Sequence, residues 1–555
     1  MLRFVNLGQI CLVLTEVVMS ENDIRVRIAV AKALEDLGAG RISRRSFIGR
    51  AIALGLAIPA ATSLMASPVR AAPKRGGEFR IGMADGATTD NWDPAVTSTR
   101  YMIHMNHVNR SMLTTIKSDN TLGPELATTW EATPDAKSWT FDLVQGAEFH
   151  SGKTMTAQDV IDTFNYHRNP NTKSAVASLL EQVSDIRADG KNRVIFELAG
   201  GNADFPYLLT DYHLCILPSD GAGGVTVNED GTGAYKVVSH DPGVRTELIR
   251  HPNYWKDNAA FFDSVVFTSI NDATARQSAL LTNSVHVIDE VDVKSVDLMK
   301  RAPGIIIDTA DSASYASLPM RMNVAPFDNF DVRMALKLGL PREQIIEKVR
   351  NGYASIGNDH PISPIMPFYA SDIEQRAYDP EKARYHLKKA GHDRLKVDFH
   401  VSDAPFAGGV DSAVLYQAAL VDAGIDLNII REPTDGYWSN VWNNKPFCLG
   451  QWGARPTPDM ILSIVYASGA PWNESVYSSE RFDKILVEAR AELDQTKRAE
   501  MYRELQQIVR DDAGTPIPFF KSYVYARRDN VMHDDALTGT WPLDGYHAVE
   551  RWWFA

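Results

Sequence analysis

Cysteine is scarce in this chain, with three in 555 residues. Disulfide scaffolds are cysteine-dense, so that class is excluded. A basic excess is missing too. Lys and Arg number 57 against 70 Asp and Glu, a net charge of -13, which argues against a general nucleic-acid binder that must neutralise phosphates. A mean hydropathy of -0.22 argues against a chain that crosses a membrane many times. There are no low-complexity tracts, charge blocks or short-period repeats, and the hydrophobic fraction of 44% is that of a globular protein large enough for several domains.

Local catalytic signatures are also absent. No Gly-x-Ser-x-Gly elbow occurs, and no Cys/His set has zinc spacing. Catalytic triads need no local signature, so this narrows hydrolysis without excluding it. Gly146 to Thr154 (Gly-Ala-Glu-Phe-His-Ser-Gly-Lys-Thr) comes near a phosphate loop. Five residues rather than four separate its glycines, and the helix expected next begins only at Thr156. His104 and His107 could share one helix face, but their apolar neighbours favour a non-ligand role.

The N-terminal segment carries a location signal. Arg44-Arg45 with Phe47 precedes an uncharged, Ala/Gly-rich run from Ala51 to Val69, which ends in Val69-Arg70-Ala71. Charged region, apolar region and small-residue exit read as an export signal cleaved before Ala72. The arginine pair resembles the signal read by the twin-arginine translocase. A membrane anchor is the competing reading, disfavoured by Pro59 and weak hydrophobicity. No Cys follows the run, so a lipoprotein anchor is not expected. Forty residues ahead of the pair is unusual for such a signal, and Met19 reads as the true start. Without residues 1–71 the chain has 48 basic and 65 acidic side chains, a net charge of -17. Cys215 and Cys448 remain, each in an apolar strand-like run, and are expected as two separate buried thiols.

Strand-like and helix-like segments alternate, which predicts a mixed α/β protein. Gly77–Gly82 and Trp139–Leu143 have the period of two of half-buried strands. Thr156 and Asp159 form a capping box ahead of a helix. Asp379, Pro380 and Gly391 bound another, with Lys388 and Lys389 in its last turn. Phe482 to Ala489 and Met501 to Val509 give two further helix stripes, halted by Pro516 and Pro518.

Four segments, in order and spacing, carry a resemblance. They are Trp139–Gly152 running on to Val160; Gly231–Tyr235 ending in Asn253-Tyr254-Trp255; Met322–Leu336; and Tyr378–Ala383 ending in Ala390-Gly391. Together they resemble the family 5 solute-binding proteins of bacterial ABC importers, the peptide/nickel/opine group, over essentially all of residues 76–555. Leu340-Pro341-Arg342 departs from the family's usual Asp-Arg helix start and puts a Pro at N1.

The resemblance implies a two-lobe periplasmic-binding-protein fold of the large, cluster C type, with a hinge and a ligand held between the lobes. Lobe I would comprise 76–117, 224–325 and 526–555, with an extra subdomain at 118–223. Lobe II would be 326–525. It also implies a periplasmic, monomeric, non-enzymatic protein with no cofactor or metal, whose partners are a small-molecule ligand and a membrane ABC permease.

For the ligand site it suggests the loop Asp85–Trp92, with Gly86, Thr88 and Thr89 facing the cleft. In the second lobe, four Trp fall within 35 residues. Trp438, Trp452 and Trp472 are the pocket candidates, and Trp442 is read as core. Asn473 matches a family residue near the cleft, and His360 lies on a segment that often lines it. Trp452-Gly453-Ala454-Arg455 is the sharpest position. Peptide-binding relatives carry an Asp at the fourth place for the ligand's ammonium, whereas Arg455 suits a carboxylate or phosphate. The competing reading turns Arg455 outward to pair with Asp459. The expected ligand is an anionic or zwitterionic organic solute, such as an opine, sugar acid or modified peptide. A di- or oligopeptide, a nickel chelate, and an exported hydrolase remain as alternatives.

Overall fold

The computed structural model describes residues 73–555. The export signal, its arginine pair and Met19 lie outside the described residues. Among the described residues no helix is long and apolar enough to cross a membrane.

A nine-stranded mixed sheet organises the described residues. From one edge its order is Gly450–Trp452, Ile305–Ser317, Phe519–Arg528, Val287–Ile288, Glu78–Met83, Ser264–Ser269, Arg245–Arg250 and Tyr235–Asp241, with Ala354–Ile356 added beside the start of Phe519–Arg528. The first strand was expected to be half-buried. It is covered on both faces from Ile81 onward, because it runs parallel to a neighbour on each side and has the helix Ala273–Leu281 packed against it.

Two long strands tie the halves together. Ile305–Ser317 and Phe519–Arg528 pair antiparallel from Ile305↔Arg528 to Asp311↔Ser522, slip between Asp311 and Tyr315, and resume at Tyr315↔Phe520. Two added residues on Ile305–Ser317 make this irregularity, and extra residues of this kind bend a strand locally. On one side of the slip, Ile305, Val524 and Ala526 pack with Val285 and Ile288. On the other, Tyr315 and Phe520 pack with Leu462, Leu486 and Leu505. The same pair of strands therefore enters separate cores in the two lobes.

The antiparallel sheet Ala127–Ala132, Ser138–Leu143, Arg193–Leu198, Val183–Ala188 forms a layer of its own. The helix Ala157–Arg168 covers it, with Val160 and Phe164 buried against Phe141 and Phe196. The capping box of Thr156 and Asp159 is formed. Asp159 also engages Lys153, whose ammonium donates to the Ser219 carbonyl as well. The lysine of the near-miss phosphate loop is thus committed to the fold.

The second lobe has a parallel strand pair, Leu395–Val401 with Ile425–Arg431. Helices Phe330–Leu338, Pro380–Lys389 and Gly409–Leu420 share its core of Leu336, Leu387, Val397 and Tyr416. Asp379 caps its helix through the Lys382 amide, and Gly391 follows with φ 88°. Helices Pro458–Val465, Glu480–Ala491 and Gln495–Asp512 form a further layer.

One local expectation needs correction. Pro341 occupies the N-cap, not N1, and the helix runs Arg342–Lys348. The neighbouring Arg342 is buried and paired with Asp359, which also meets Arg376, so this departure sits beside a buried charge network rather than a simple surface cap. Cys215 and Cys448 are both buried and unpaired.

Candidate ligand-binding cleft

A cavity of about 710 Å³ opens between the lobes. One wall comes from three stretches distant in sequence: His107 to Ile116, Ala175 to His213, and Thr540 to His547. The facing wall runs from Ala454 to Trp472. Most of the lining is apolar or aromatic. Among its members only Arg455 and Asp211 carry a permanent charge. An apolar pocket with few polar groups is the usual form of a small-molecule site.

Arg455 owes its position to a short irregular link. The strand Gly450–Trp452 ends against Tyr315 at the edge of the large sheet. The next helix starts at Pro458, capped by Thr457. Arg455 falls in the bend between them. One guanidinium nitrogen donates to the carbonyls of Ala454 at 3.0 Å and Gly453 at 3.4 Å. Asp459 is not its partner. That carboxylate takes both contacts of Arg490, at 3.0 and 3.1 Å, since Arg455 precedes the helix and cannot use its i,i+4 spacing. No carboxylate among the described residues pairs with Arg455. Burial lowers its pKa, opposed by Asp211, Tyr315 and Tyr212.

The four tryptophans form a row, with successive ring centroids 5.9, 5.9 and 6.0 Å apart from Trp438 through Trp442 and Trp452 to Trp472. Trp472 lines the cavity. Trp452 is buried behind it, and Trp438 ends the row half-exposed on the far side. Trp442 donates its indole N–H to Glu474 at 2.8 Å. Glu474 is 1% exposed, and burial pushes its pKa up to about 7.

Of the ten candidates read from sequence, the structure brings Arg455 and Trp472 onto the cavity wall. Gly453 lies in the same bend and accepts from Arg455. Asn473 is turned inward, bonding the carbonyls of Ala467 and Tyr477 and the amide of Tyr477, which ties down the loop that presents Trp472. His360 is buried beside Asp359, with its pKa pushed down by burial to about 4. Gly86 packs at the end of the large sheet, its carbonyl bonded by Asn271. Thr88 and Thr89 on the same loop are exposed. Trp438, Trp452, Gly453, Asn473, His360, Gly86, Thr88 and Thr89 are not among the lining residues.

Sequence reasoning missed Asp211, Tyr212, His213, Trp541 and His547. His107 was noted but given no ligand role. It meets His547 edge-on at 5.3 Å, and burial lowers the pKa of these two rings to about 4 and about 3. Both are therefore neutral at pH 7. Among the described residues no cluster of His, Cys, Asp and Glu is arranged to hold a metal ion.

Two lobes joined by paired strands around a cavity with few polar groups define a binding protein that encloses a small solute. The family model described as bacterial extracellular solute-binding proteins, family 5 Middle, matches residues 121–474, and the chain belongs to that family. It is 25% identical to heme-binding protein A of Haemophilus influenzae, over 75% of this chain and 82% of the relative. It is also 25% identical to the dipeptide-binding protein of Escherichia coli, over 70% and 79%. Among solved structures, PBP AgaA of A. tumefaciens R10 in complex with agropinic acid superposes with a TM-score of 0.69 at 20% identity, covering 86% of this chain and 99% of that one.

Proposed function

We propose that this protein is the periplasmic solute-binding component of an ABC importer, and that it captures a small organic anion or zwitterion between its lobes and delivers it to the membrane permease. The observation that carries the reading is Arg455, a half-buried guanidinium on the cavity wall with no carboxylate partner among the described residues. A cation placed this way in an apolar cleft calls for an anionic group on the ligand. The similar proteins include a dipeptide-binding protein and one in complex with agropinic acid. A peptide would meet Arg455 through its carboxylate, and an opine or sugar acid would do the same.

The test is calorimetric titration of wild type and of Arg455→Ala, Arg455→Lys and Arg455→Asp, with solutes found by a thermal-shift screen. A charge-assisted bond contributes roughly 1.5–3 kcal/mol, so Arg455→Ala weakens binding at least tenfold. Lys recovers part, because it lacks the planar fork, and Asp is worse than Ala. Equal dissociation constants across the four proteins would exclude Arg455 from the site.

The route to the periplasm is proposed to be the twin-arginine translocase, with the signal removed before Ala72 and no lipid anchor. Replacing Arg44 and Arg45 by Lys should then leave precursor in the cytoplasm, and undiminished periplasmic protein would refute that route. The chain is proposed to act as a monomer. Its lobes, 76–117 with 224–325 and 526–555 on one side and 326–525 on the other, are proposed to close on the solute, with 118–223 moving as part of the first.

A further inference from the structure

One stretch of the cavity wall is built on left-handed backbone. Leu543, Asp544, Gly545 and Tyr546 follow one another at φ 54°, 58°, 66° and 66°. The Gly545 amide donates to the Trp541 carbonyl at 3.1 Å, and the Tyr546 amide donates to the Pro542 carbonyl at 2.9 Å. These are the i to i−4 bonds of one turn of left-handed helix. Right-handed helix resumes at Ala548–Arg551. L-residues visit this conformation singly, and then mostly as Gly, Asn or Asp, because Cβ crowds the following carbonyl. Leu543 and Tyr546 lack that excuse. Strain of this kind persists only where the surroundings over-determine it, and it gathers at functional sites.

The surroundings do over-determine it. Leu543 and Tyr546 are fully buried in the core that also holds Tyr101 and Trp552. Asp544 is buried and held from three sides. Its Oδ1 accepts from the Thr538 amide at 3.0 Å; its Oδ2 accepts from the Ser118 hydroxyl at 3.2 Å and meets the Arg551 guanidinium at 3.3 Å. Gly545 has no room for a side chain, since a Cβ there would come within 2.7 Å of the Thr538 methyl. What this turn delivers to the cavity is Trp541. Tyr546 lies under its indole, with ring centroids 5.7 Å apart and planes within 12°. Tyr546 stacks in turn on His104 at 4.5 Å. The two lower rings are fully buried and do not line the cavity, whereas Trp541 is partly exposed and does. Tyr212 braces it edge-on at 5.9 Å. The indole is the cavity end of a three-ring stack, and Trp472 stands on the facing wall.

We propose that the left-handed turn is a positioning device, that Trp541 is the platform it sets, and that the solute carries a flat aromatic group which stacks on that indole. Offset-stacked rings attract beyond the area they bury, and a ring already braced from behind loses little freedom when the solute arrives. Asp544 does not line the cavity; it is a positioning residue that acts through Trp541. The assignment rests on the cavity being the solute site proposed above, and it does not depend on the charge of Arg455.

The test uses matched carboxylates: N-benzoylglycine beside N-cyclohexanecarbonylglycine, and glycyl-phenylalanine beside glycyl-cyclohexylalanine. Members of a pair share the carboxylate and nearly the same apolar bulk and differ in planarity. Binding is measured by calorimetry to wild type, Trp541→Leu, Trp541→Phe, Asp544→Ala, Asp544→Asn and Arg455→Ala. Wild type should favour the aromatic member of each pair by roughly 3- to 10-fold. Trp541→Leu should bring that ratio to about one while leaving the saturated member within about twofold, and Trp541→Phe should keep part of the ratio. Asp544→Ala should lose most of it. Asp544→Asn, which tolerates a positive φ and still accepts from the Thr538 amide, should restore it. A merely structural role would weaken both members alike and leave the ratio unchanged. A ratio near one in wild type, a ratio that Trp541→Leu does not change, or no binding by any of the four compounds would overturn the platform. A ratio that survives Asp544→Ala would overturn the turn as its positioning device; should that variant fail to fold, Trp541→Leu decides alone. Arg455→Ala keeps the two readings apart. Compounds that it weakens at least tenfold but that show no aromatic preference would leave the solute site standing without the platform.

Discussion

Glu474 provides the most searching test of the electrostatics behind the tryptophan row. Its carboxyl is 1% exposed, has no cationic partner among the described residues, and accepts from the Trp442 indole at 2.8 Å. Burial raises its pKa from 4.5 to about 7. An acid whose folded pKa lies above its unfolded value binds more protons in the native state between the two. Stability therefore falls as pH rises from about 4.5 to about 7. One pKa unit corresponds to about 1.4 kcal/mol, so from pH 5 to pH 8 this group removes about 2–3 kcal/mol.

Glu474→Gln resembles the protonated acid in shape and hydrogen bonding but does not titrate. Scanning calorimetry of both proteins at pH 5 and pH 8 isolates the effect, because the other titrating groups cancel in the difference of differences. Relative to wild type, the variant should gain several degrees of melting temperature on going from pH 5 to pH 8, at roughly 2–4 °C per kcal/mol. A wild-type-minus-variant difference that is the same at both values would refute the reasoning. It would mean that the carboxyl is ionised throughout and that the tryptophan indoles alone stabilise its charge.

Asp359 titrates in the opposite direction. Burial alone would raise its pKa, but Arg342, Arg376 and Lys337 hold it down to about 2, so its contribution is present above the unfolded value of ~3.9 and fades as pH falls toward 2. Asp359→Asn leaves Arg342 buried and unpaired. The backbone there has φ 58°, which Asn tolerates, so the loss of about 3–5 kcal/mol in a urea titration at pH 7 reports the charge; a loss below ~1 kcal/mol would contradict the network. Along the tryptophan row, Trp472→Ala should weaken solute binding roughly 3- to 10-fold by calorimetry, while Trp438→Ala, at the exposed far end, should stay within about twofold. Equal effects from the two would mean that the row, not the cavity wall, is what the solute contacts.

Local chemistry was legible without coordinates wherever the cause is local. The period of two predicts the strands that became Glu78–Met83 and Ser138–Leu143, and capping chemistry predicts the helix starts at Thr156 and Asp379. These signals depend on neighbours within four residues, which the chain itself supplies. Ordered segments spread over the whole length likewise carried the family. Arg455 and Trp472 were legible because one stretch, Ala454 to Trp472, contributes a wall on its own.

The opposite wall could not be read in this way. His107, Asp211 and Trp541 meet only because sheet pairing and core packing bring together residues hundreds of positions apart, and each is unremarkable in its own stretch of sequence. Partner choice was decided in the same way. Spacing alone offered Asp459 to Arg455, but the helix begins too late for that pair, and the packing of Glu480–Ala491 gives Asp459 to Arg490 instead. The residue types and local turns of this protein follow from its sequence. Which charge is left unpaired in the cleft, and what faces it, is set by long-range packing, because an ion pair depends on distance in space and not on separation along the chain.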